Sequence, residues 1–176
     1  MHIAGTLNKG GKRMGLNLSL TRAGGVSGQL SVDGAGFTVL STQGSTYFRV
    51  TRAFIKYLKL SPSACTLMCG KFLKASPAQS RSLVGDLSMS RLLGSLTSSA
   101  PKYRYAGAAT VNGQPAWVLH VSDGTTAYVA SHGRPYPLRL VAPGHRGQLN
   151  FTRWNTATIP GPPPVSQVLD PSQLEG

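Results

Sequence analysis

The chain has 176 residues, which suits one domain with its own core, and its 40% of hydrophobic residues excludes an intrinsically disordered chain. It carries 18 lysine and arginine residues against 5 acidic ones, and the net charge of +13 indicates either a solvated basic surface or a face that binds anionic partners. No stretch of about 18 apolar residues occurs, which excludes a membrane-spanning helix.

The first fifty residues alternate between apolar and polar side chains, a period that is typical of antiparallel strands. In "RMGLNLSL" the side chains of Leu16, Leu18 and Leu20 share one face, and "VSGQLSV" alternates in the same way. Glycine-rich breaks such as "NKGG" and "DGAG" are hairpin connections. We therefore predict a meander of five strands between His2 and Val50.

The period changes after this meander. In "TRAFIKYLKL", Phe54, Ile55 and Leu58 have helical spacing, and Thr51 is suited to cap the helix. "SPSACTLMCG" begins with Ser-Pro and ends with glycine, which indicates a short helical turn, and "KFLKAS" indicates a short strand. "SMSRLLGSL" predicts a further short amphipathic helix, whose apolar face consists of Met89, Leu92, Leu93 and Leu96.

Strand patterns return after Pro101, in "YRYAGAATV", "AWVLHV", "TAYVAS", "PLRLV" and "GQLNFTRW". From Ile159 the chain is proline-rich, which favours an extended tail that lies along the domain or projects from it. In total we expect an α+β fold: ten or eleven antiparallel strands in a single strongly curved sheet, covered by two or three short helices. The expected domain spans residues 1–158, and the tail spans residues 159–176.

The stretch from His120 to His132 contains the residue types of a serine hydrolase, including Ser122 and Asp123. Asp123 opens an Asp-Gly turn, however, and the chain lacks the G-x-S-x-G elbow that would expose a nucleophile. A single glutamate excludes a glutamate pair for glycoside hydrolysis. The four histidines are dispersed, without metal-ligand spacing, and no phosphate-binding loop occurs. We expect no catalytic residues, no metal and no cofactor.

Nucleic acid is not an expected partner. RNA-binding sheets interleave aromatic and basic residues on one face, and Tyr103, Arg104 and Tyr105 are only a weak echo of that pattern.

Cys65 and Cys69 are the only cysteines, separated by three residues. If the domain is exported, this close pair favours a small disulfide loop. Free buried thiols are the main alternative, and a metal site would need two further ligands.

Four parts of the sequence resemble one family. The opening "HIAGTL" with the hairpins "LNLSL" and "GQLSVDG" is similar to its first meander, and "STYFRVTRAFIKYL" is similar to its strand-then-helix segment. "CGKFLKAS" resembles a further strand, and "TAYVASHGRPYPLRL" followed by "GQLNFTRW" resembles the closing strands. In this order, from His2 to about Pro164, the chain resembles the LolA-like superfamily and, within it, actinobacterial envelope lipoproteins of the LppX, LprA, LprF and LprG type.

The resemblance implies a half-barrel with helices over its concave face and an apolar cavity that binds or carries lipid acyl chains. It implies an exported monomer at the outer face of the cytoplasmic membrane or in the cell wall, anchored by lipid in a precursor whose signal and anchor are absent from this chain. The expected partners are a lipid ligand and an anionic membrane surface. The alternative function is an envelope sensor or protein-interaction module with a packed core. The candidate cavity residues are Leu16, Leu18, Leu20, Leu30, Phe37, Val39, Phe54, Ile55, Leu58, Leu92, Leu93 and Leu96.

Overall fold

The computed structural model of the chain describes residues 1–81 and 102–170. The helix predicted in "SMSRLLGSL", with Met89, Leu92, Leu93 and Leu96, lies outside these residues.

Twelve strands in the described residues form one open sheet, with the spatial order β12-β6-β5-β4-β3-β2-β1-β11-β10-β9-β8-β7. The predicted half-barrel is therefore confirmed, and each of the eleven strand patterns in the sequence corresponds to a strand. The strands are β1 His2–Lys9, β2 Lys12–Leu20, β3 Val26–Val32, β4 Ala35–Thr42, β5 Ser45–Val50, β6 Phe72–Lys74, β7 Tyr103–Val111, β8 Gln114–Val121, β9 Thr126–Ala130, β10 Pro137–Val141, β11 Gly147–Thr152 and β12 Val168–Leu169.

The first strand pairs with a late strand, β11, at the centre of the sheet. Strand β1 pairs with β11, so that His2 lies opposite Thr152 and Leu7 lies opposite Gly147. All pairings from β6 to β7 across the sheet are antiparallel. A bulge interrupts β10 and another interrupts β7, and bulges of this kind increase the local twist and bend of a strand.

Two short helices follow β5, and a third begins at Pro77. They are α1 Arg52–Tyr57 and α2 Pro62–Met68. The predicted cap of α1 is confirmed, because the Thr51 hydroxyl accepts a hydrogen bond from the Phe54 backbone N–H at 3.2 Å. The same hydroxyl donates to the carbonyl of Gly36 at 2.6 Å, which ties the start of α1 to β4.

The main core lies on one face of the central strands, which we call the core face. Its buried members come from β1 to β4 and β11, together with the first residue of the chain: Met1, Ile3, Leu18, Leu20, Val26, Leu30, Val39 and Phe151. Helices α1 and α2 pack at one end of this face, where the Phe54 ring lies 4.6 Å from the Phe37 ring. There Ile55 and Cys65 form a second buried cluster with Val50 of β5.

The described part of the tail, residues 159–170, adds a strand that the sequence analysis did not predict. Strand β12 pairs in parallel with β6, with Val168 opposite Phe72, so the sheet is mixed and has twelve strands rather than ten or eleven. Lys74 and Asp170 form an ion pair with an N–O distance of 2.8 Å beside this pairing, and the hydrogen bond to Asp170 raises the pKa of Lys74. A two-residue strand is too short to show a period in the sequence.

Cys65 of α2 and Cys69, directly after it, form the predicted disulfide, with 4.7 Å between their Cα atoms. The bond links residues one helical turn apart and closes a small loop. Both ends of the bond belong to α2 and its C-cap, so the bond stabilises this helical turn itself, while the burial of Cys65 contributes to the packing under the helices.

We expect reduction of this disulfide to lower the free energy of unfolding by about 2 kcal/mol, because a small loop removes little entropy from the unfolded chain. The melting temperature should fall by roughly 4–8 °C when a reductant is added. The variant with both Cys65→Ser and Cys69→Ser is the control, and its melting temperature should not respond to the reductant. Two titratable thiols in oxidised, denatured protein would show that the bond is absent.

Candidate ligand-binding face

One continuous row of aligned residues crosses ten strands on the core face. Each member lies directly opposite the next in the register of two neighbouring strands, and every side chain is aliphatic or aromatic apart from one glycine. We call this set the apolar row. In spatial order it consists of Tyr105, Leu119, Ala127, Leu140, Leu149, Gly5, Leu16, Leu30, Phe37 and Val50.

Burial changes along the apolar row. Val50 and Leu30 are buried at the end that α1 covers, whereas Leu140 and Leu149 in the middle are half-buried. At the other end, Tyr105 is 61% exposed. Aromatic side chains of this size are usually largely buried, so the open end of the row is a candidate contact surface for an apolar ligand.

Neighbouring residues extend the open end. Trp117 lies two residues before Leu119 in β8 and therefore on the same face, and it is 44% exposed. Tyr103, two residues before Tyr105 in β7, is 50% exposed. Strand β7 forms this edge of the sheet.

The structure divides the candidate cavity residues from the sequence into three groups. Leu18, Leu20, Leu30, Val39 and Ile55 are buried and pack within the main core or the second buried cluster. The half-buried group, in contact with the same clusters, is Leu16, Phe37 and Phe54.

Leu58 is different, because it is 47% exposed after the end of α1. Leu92, Leu93 and Leu96 lie outside the described residues. A depression of about 360 Å³ brings together Leu16, Leu30 and Phe37. A cavity-lining role for all these residues stays a prediction.

Sequence reasoning missed the half of the row that β7 to β11 contribute. A signal existed, since "AWVLHV" alternates Trp117, Leu119 and Val121 with polar or smaller residues. The alternation identifies a face of one strand, but only the pairing of β1 with β11 shows that Leu149 continues the row of Leu16.

The opposite face of the sheet is polar along the neighbouring register. The guanidinium of Arg139 donates from Nε to Oδ1 of Asn150 at 2.8 Å and lies over the Tyr128 ring, 5.9 Å from its centroid. The row continues on that face through Ala4, Asn17, Gln29, Thr38 and Arg49. This polar register runs from β10 to β5. Between β7 and β10 the same face carries a third buried cluster, formed by Val111, Ala116 and Leu138 with Tyr128 and Ala130 packed against them.

The residue types of a hydrolase do not assemble into a triad. The imidazole of His120 lies 3.2 Å from the Thr126 hydroxyl, and Asp123 accepts a hydrogen bond from the Thr125 backbone N–H at 2.8 Å. His132 lies 3.0 Å from the neighbouring Ser131 hydroxyl. Each group is thus engaged locally, as turn and strand chemistry predicts. Among residues 1–81 and 102–170, no cluster of three or more His, Cys, Asp or Glu side chains could hold a metal ion.

A second concave surface lies between α1 and α2, with a volume of about 730 Å³. Its floor includes the buried residues Ile55 and Cys65. Three exposed cationic residues of the α1 region line it, and they are Arg52, Lys56 and Lys59.

Comparison with known proteins gives no family assignment: no family model matches the chain, and neither does any curated protein. Among solved structures, a complex of MucA and MucB from Pseudomonas aeruginosa aligns with 94% of this chain, with 18% identity and a TM-score of 0.37. A structure of MucB aligns with 91%, with 17% identity and a TM-score of 0.38. The chain spans about half the length of these two, at 53% of each.

A DUF1329 family protein from Desulfovibrio piger aligns with 80% of this chain and 63% of its own, with 12% identity and a TM-score of 0.26. In the part of the chain that the structure describes, no helix is both long and apolar enough to cross a membrane.

Proposed function

We propose that this chain is a non-enzymatic lipid-binding or lipid-carrying protein of a cell envelope, and that it holds an acyl chain against the apolar row. The observation that supports this function is the row itself: it stays in register across ten strands, and its middle is only half-buried. An acyl chain lying across the strands would contact one row residue for every strand it crosses.

The dimensions and energies suit such a ligand. Neighbouring strands lie about 4.8 Å apart, so the part of the row from Leu119 to Leu16 extends for roughly 24 Å across five strand spacings. Each methylene group removed from water stabilises the complex by about 0.8 kcal/mol. A long acyl chain therefore gains enough free energy from apolar contact with this surface to bind without an ionic interaction.

The proposed location is outside the cytoplasm. The Cys65–Cys69 disulfide supports export, because disulfides persist in oxidising compartments and are rare in the cytosol. The resemblance of the sequence to LolA-like envelope lipoproteins supports the same location, and a lipid anchor in the precursor is part of the proposal.

The chain is proposed to have no enzymatic activity. This rests on the local hydrogen bonds of His120 and Asp123, which direct both side chains to threonines of the adjoining turn and strand rather than to Ser122.

A sensor or protein-interaction module with a packed core is the second candidate function. It is favoured by the complete burial of Leu18 and Val39, each 0% exposed, and of Leu20, which is 1% exposed. A core that is filled by side chains needs no ligand to be stable.

Native mass spectrometry of the purified protein distinguishes the two. A lipid carrier should appear as a monomer of 18.5 kDa plus the mass of a lipid, and the extra mass should vanish on denaturation. The control is the same preparation after delipidation and incubation with oleate. If neither preparation carries extra mass, the carrier function is wrong and the interaction module takes its place.

A further inference from the structure

The helix pair α1–α2 exposes a cluster of leucines. Of the seven large hydrophobic side chains that are exposed in the described chain, three lie within ten residues here: Leu58, Leu60 and Leu67, with exposures of 47%, 46% and 61%. Leu60 lines the groove between the helices. Leu67 does not line it, but the preceding residue, Thr66, does. Single exposed leucines are common on protein surfaces, but three within ten residues are a larger exposed apolar content than scattered leucines give, and such content favours an interaction site.

Every charged residue in and directly after the helix pair is basic. Residues 51–81 contain six lysine and arginine residues and no aspartate or glutamate. Arg52, Lys56 and Lys59 line the groove beside Leu60 and are all exposed. The ion pair of Lys74 with Asp170 of the tail lies on β6, outside the helices.

Lys59 has a backbone conformation that glycine would adopt more easily. Its φ is +57°, in the left-handed region, directly after the end of α1. The Lys59 N–H bonds to the carbonyl of Lys56 at 3.0 Å, and the Leu60 N–H bonds to the carbonyl of Ile55 at 3.1 Å. These two bonds form a Schellman motif, in which glycine is strongly preferred at the position of Lys59.

A lysine in this position makes the fold less stable than a glycine would. Left-handed backbone is unfavourable for any side chain with a Cβ atom, and such strain is often retained where the side chain has a function. Here the strained position carries a cation at the rim of the groove, immediately before an exposed leucine.

We propose that the α1–α2 pair is a membrane-docking surface: Leu58, Leu60 and Leu67 enter the interface of an anionic phospholipid bilayer, while Arg52, Lys56 and Lys59 contact its head groups. Exposed apolar side chains bordered by lysine and arginine are the pattern of proteins that bind the bilayer interface. The absence of acidic residues from 51–81 makes the charge complementary to an anionic lipid surface. This surface would act whether or not the apolar row holds a lipid, so the two proposals can fail separately.

Vesicle flotation with the full chain tests the proposal. We expect binding to vesicles of phosphatidylglycerol and phosphatidylcholine, and much weaker binding to phosphatidylcholine alone. Binding should weaken when the salt concentration rises from about 0.1 M to about 1 M, because the screening length falls from about 10 Å to about 3 Å. Equal binding to both kinds of vesicle would show that the basic residues do not contribute to membrane binding.

Matched variants locate the surface. Lys56→Gln should reduce the partition coefficient about fivefold, and the triple variant Arg52→Gln, Lys56→Gln, Lys59→Gln about a hundredfold. Leu60→Ser should reduce it about tenfold through lost apolar contact. Two controls should leave binding unchanged: Arg104→Gln, which makes the same charge change on β7, and Val165→Ser, which removes an apolar side chain that is 90% exposed in the tail.

Lys59→Gly gives a result that a purely structural role cannot produce. Relief of the left-handed strain should raise the melting temperature by about 2 °C, while loss of the cation should reduce vesicle binding about fivefold. The proposal is overturned if Lys59→Gly binds like the wild type, if Arg104→Gln reduces binding as much as Lys56→Gln, or if the folded protein binds neither kind of vesicle. In the last case the leucine cluster would be a contact site for a protein.

Discussion

Replacement of Gly5 by alanine is expected to lower the free energy of unfolding by about 3 kcal/mol, a change that should reduce the melting temperature by roughly 6–12 °C. A Cβ atom at this position would overlap the carbonyl oxygen of Gln148 and lie 3.0 Å from the Cα of Leu149. Both atoms belong to the backbone of β11, which cannot move away without breaking its pairing with β1.

The control for this prediction is Gly10→Ala in the turn between β1 and β2. Gly10 has a φ of +58°, but a Cβ atom there would meet nothing within 4 Å. It should therefore cost only the left-handed strain, about 1 kcal/mol. Thermal unfolding of both variants measures the difference, and equal melting temperatures would show that close approach of β1 and β11 is not required.

Gly5 also explains how the sheet can place a row of leucines on a curved face. It occupies the centre of the apolar row, between Leu149 and Leu16, where β1 pairs with β11 on one side and β2 on the other. Gly28 allows a similar close approach of β3 to the backbone of β2 at Asn17. Glycines of this kind let a sheet curl where side chains would hold the strands apart.

Local features of the fold were predictable from the sequence because short-range physics determines them. The alternation of Leu16, Leu18 and Leu20 defines the face of β2, and the hydroxyl of Thr51 can reach the N–H three residues later only at a helix start. The disulfide of Cys65 and Cys69 was the favoured pairing for an exported domain, because a separation of four residues permits the bond while free thiols were the alternative.

Features that depend on distant parts of the chain were not predictable in this way. The pairing of His2 with Thr152 and of Val168 with Phe72 leaves no periodic signal, because register between strands far apart in sequence is set by the whole sheet. The exposure of Leu58 has the same origin: its helical spacing matches Phe54, but α1 ends there and the packed face ends with it.

The affinity of the protein for fatty acids should rise with chain length, and this is the largest effect that the apolar row predicts. Each methylene buried against the row contributes about 0.8 kcal/mol, so two further carbons should tighten binding roughly tenfold until the row is covered. Displacement of a fluorescent fatty acid by competitors of increasing length measures the slope directly.

Two tryptophan substitutions separate a ligand surface from a packed core. Leu149 is a half-buried member of the row, so Leu149→Trp should occupy the place of the acyl chain and weaken binding, while the protein keeps its melting temperature. Leu18 is 0% exposed, so Leu18→Trp should overpack the core and cost about 1–3 kcal/mol of stability. If Leu149→Trp destabilises the protein as strongly as Leu18→Trp, and affinity is independent of chain length, the row is core along its whole length. An acyl chain then has no surface to occupy, and the packed interaction module is the function that the fold supports.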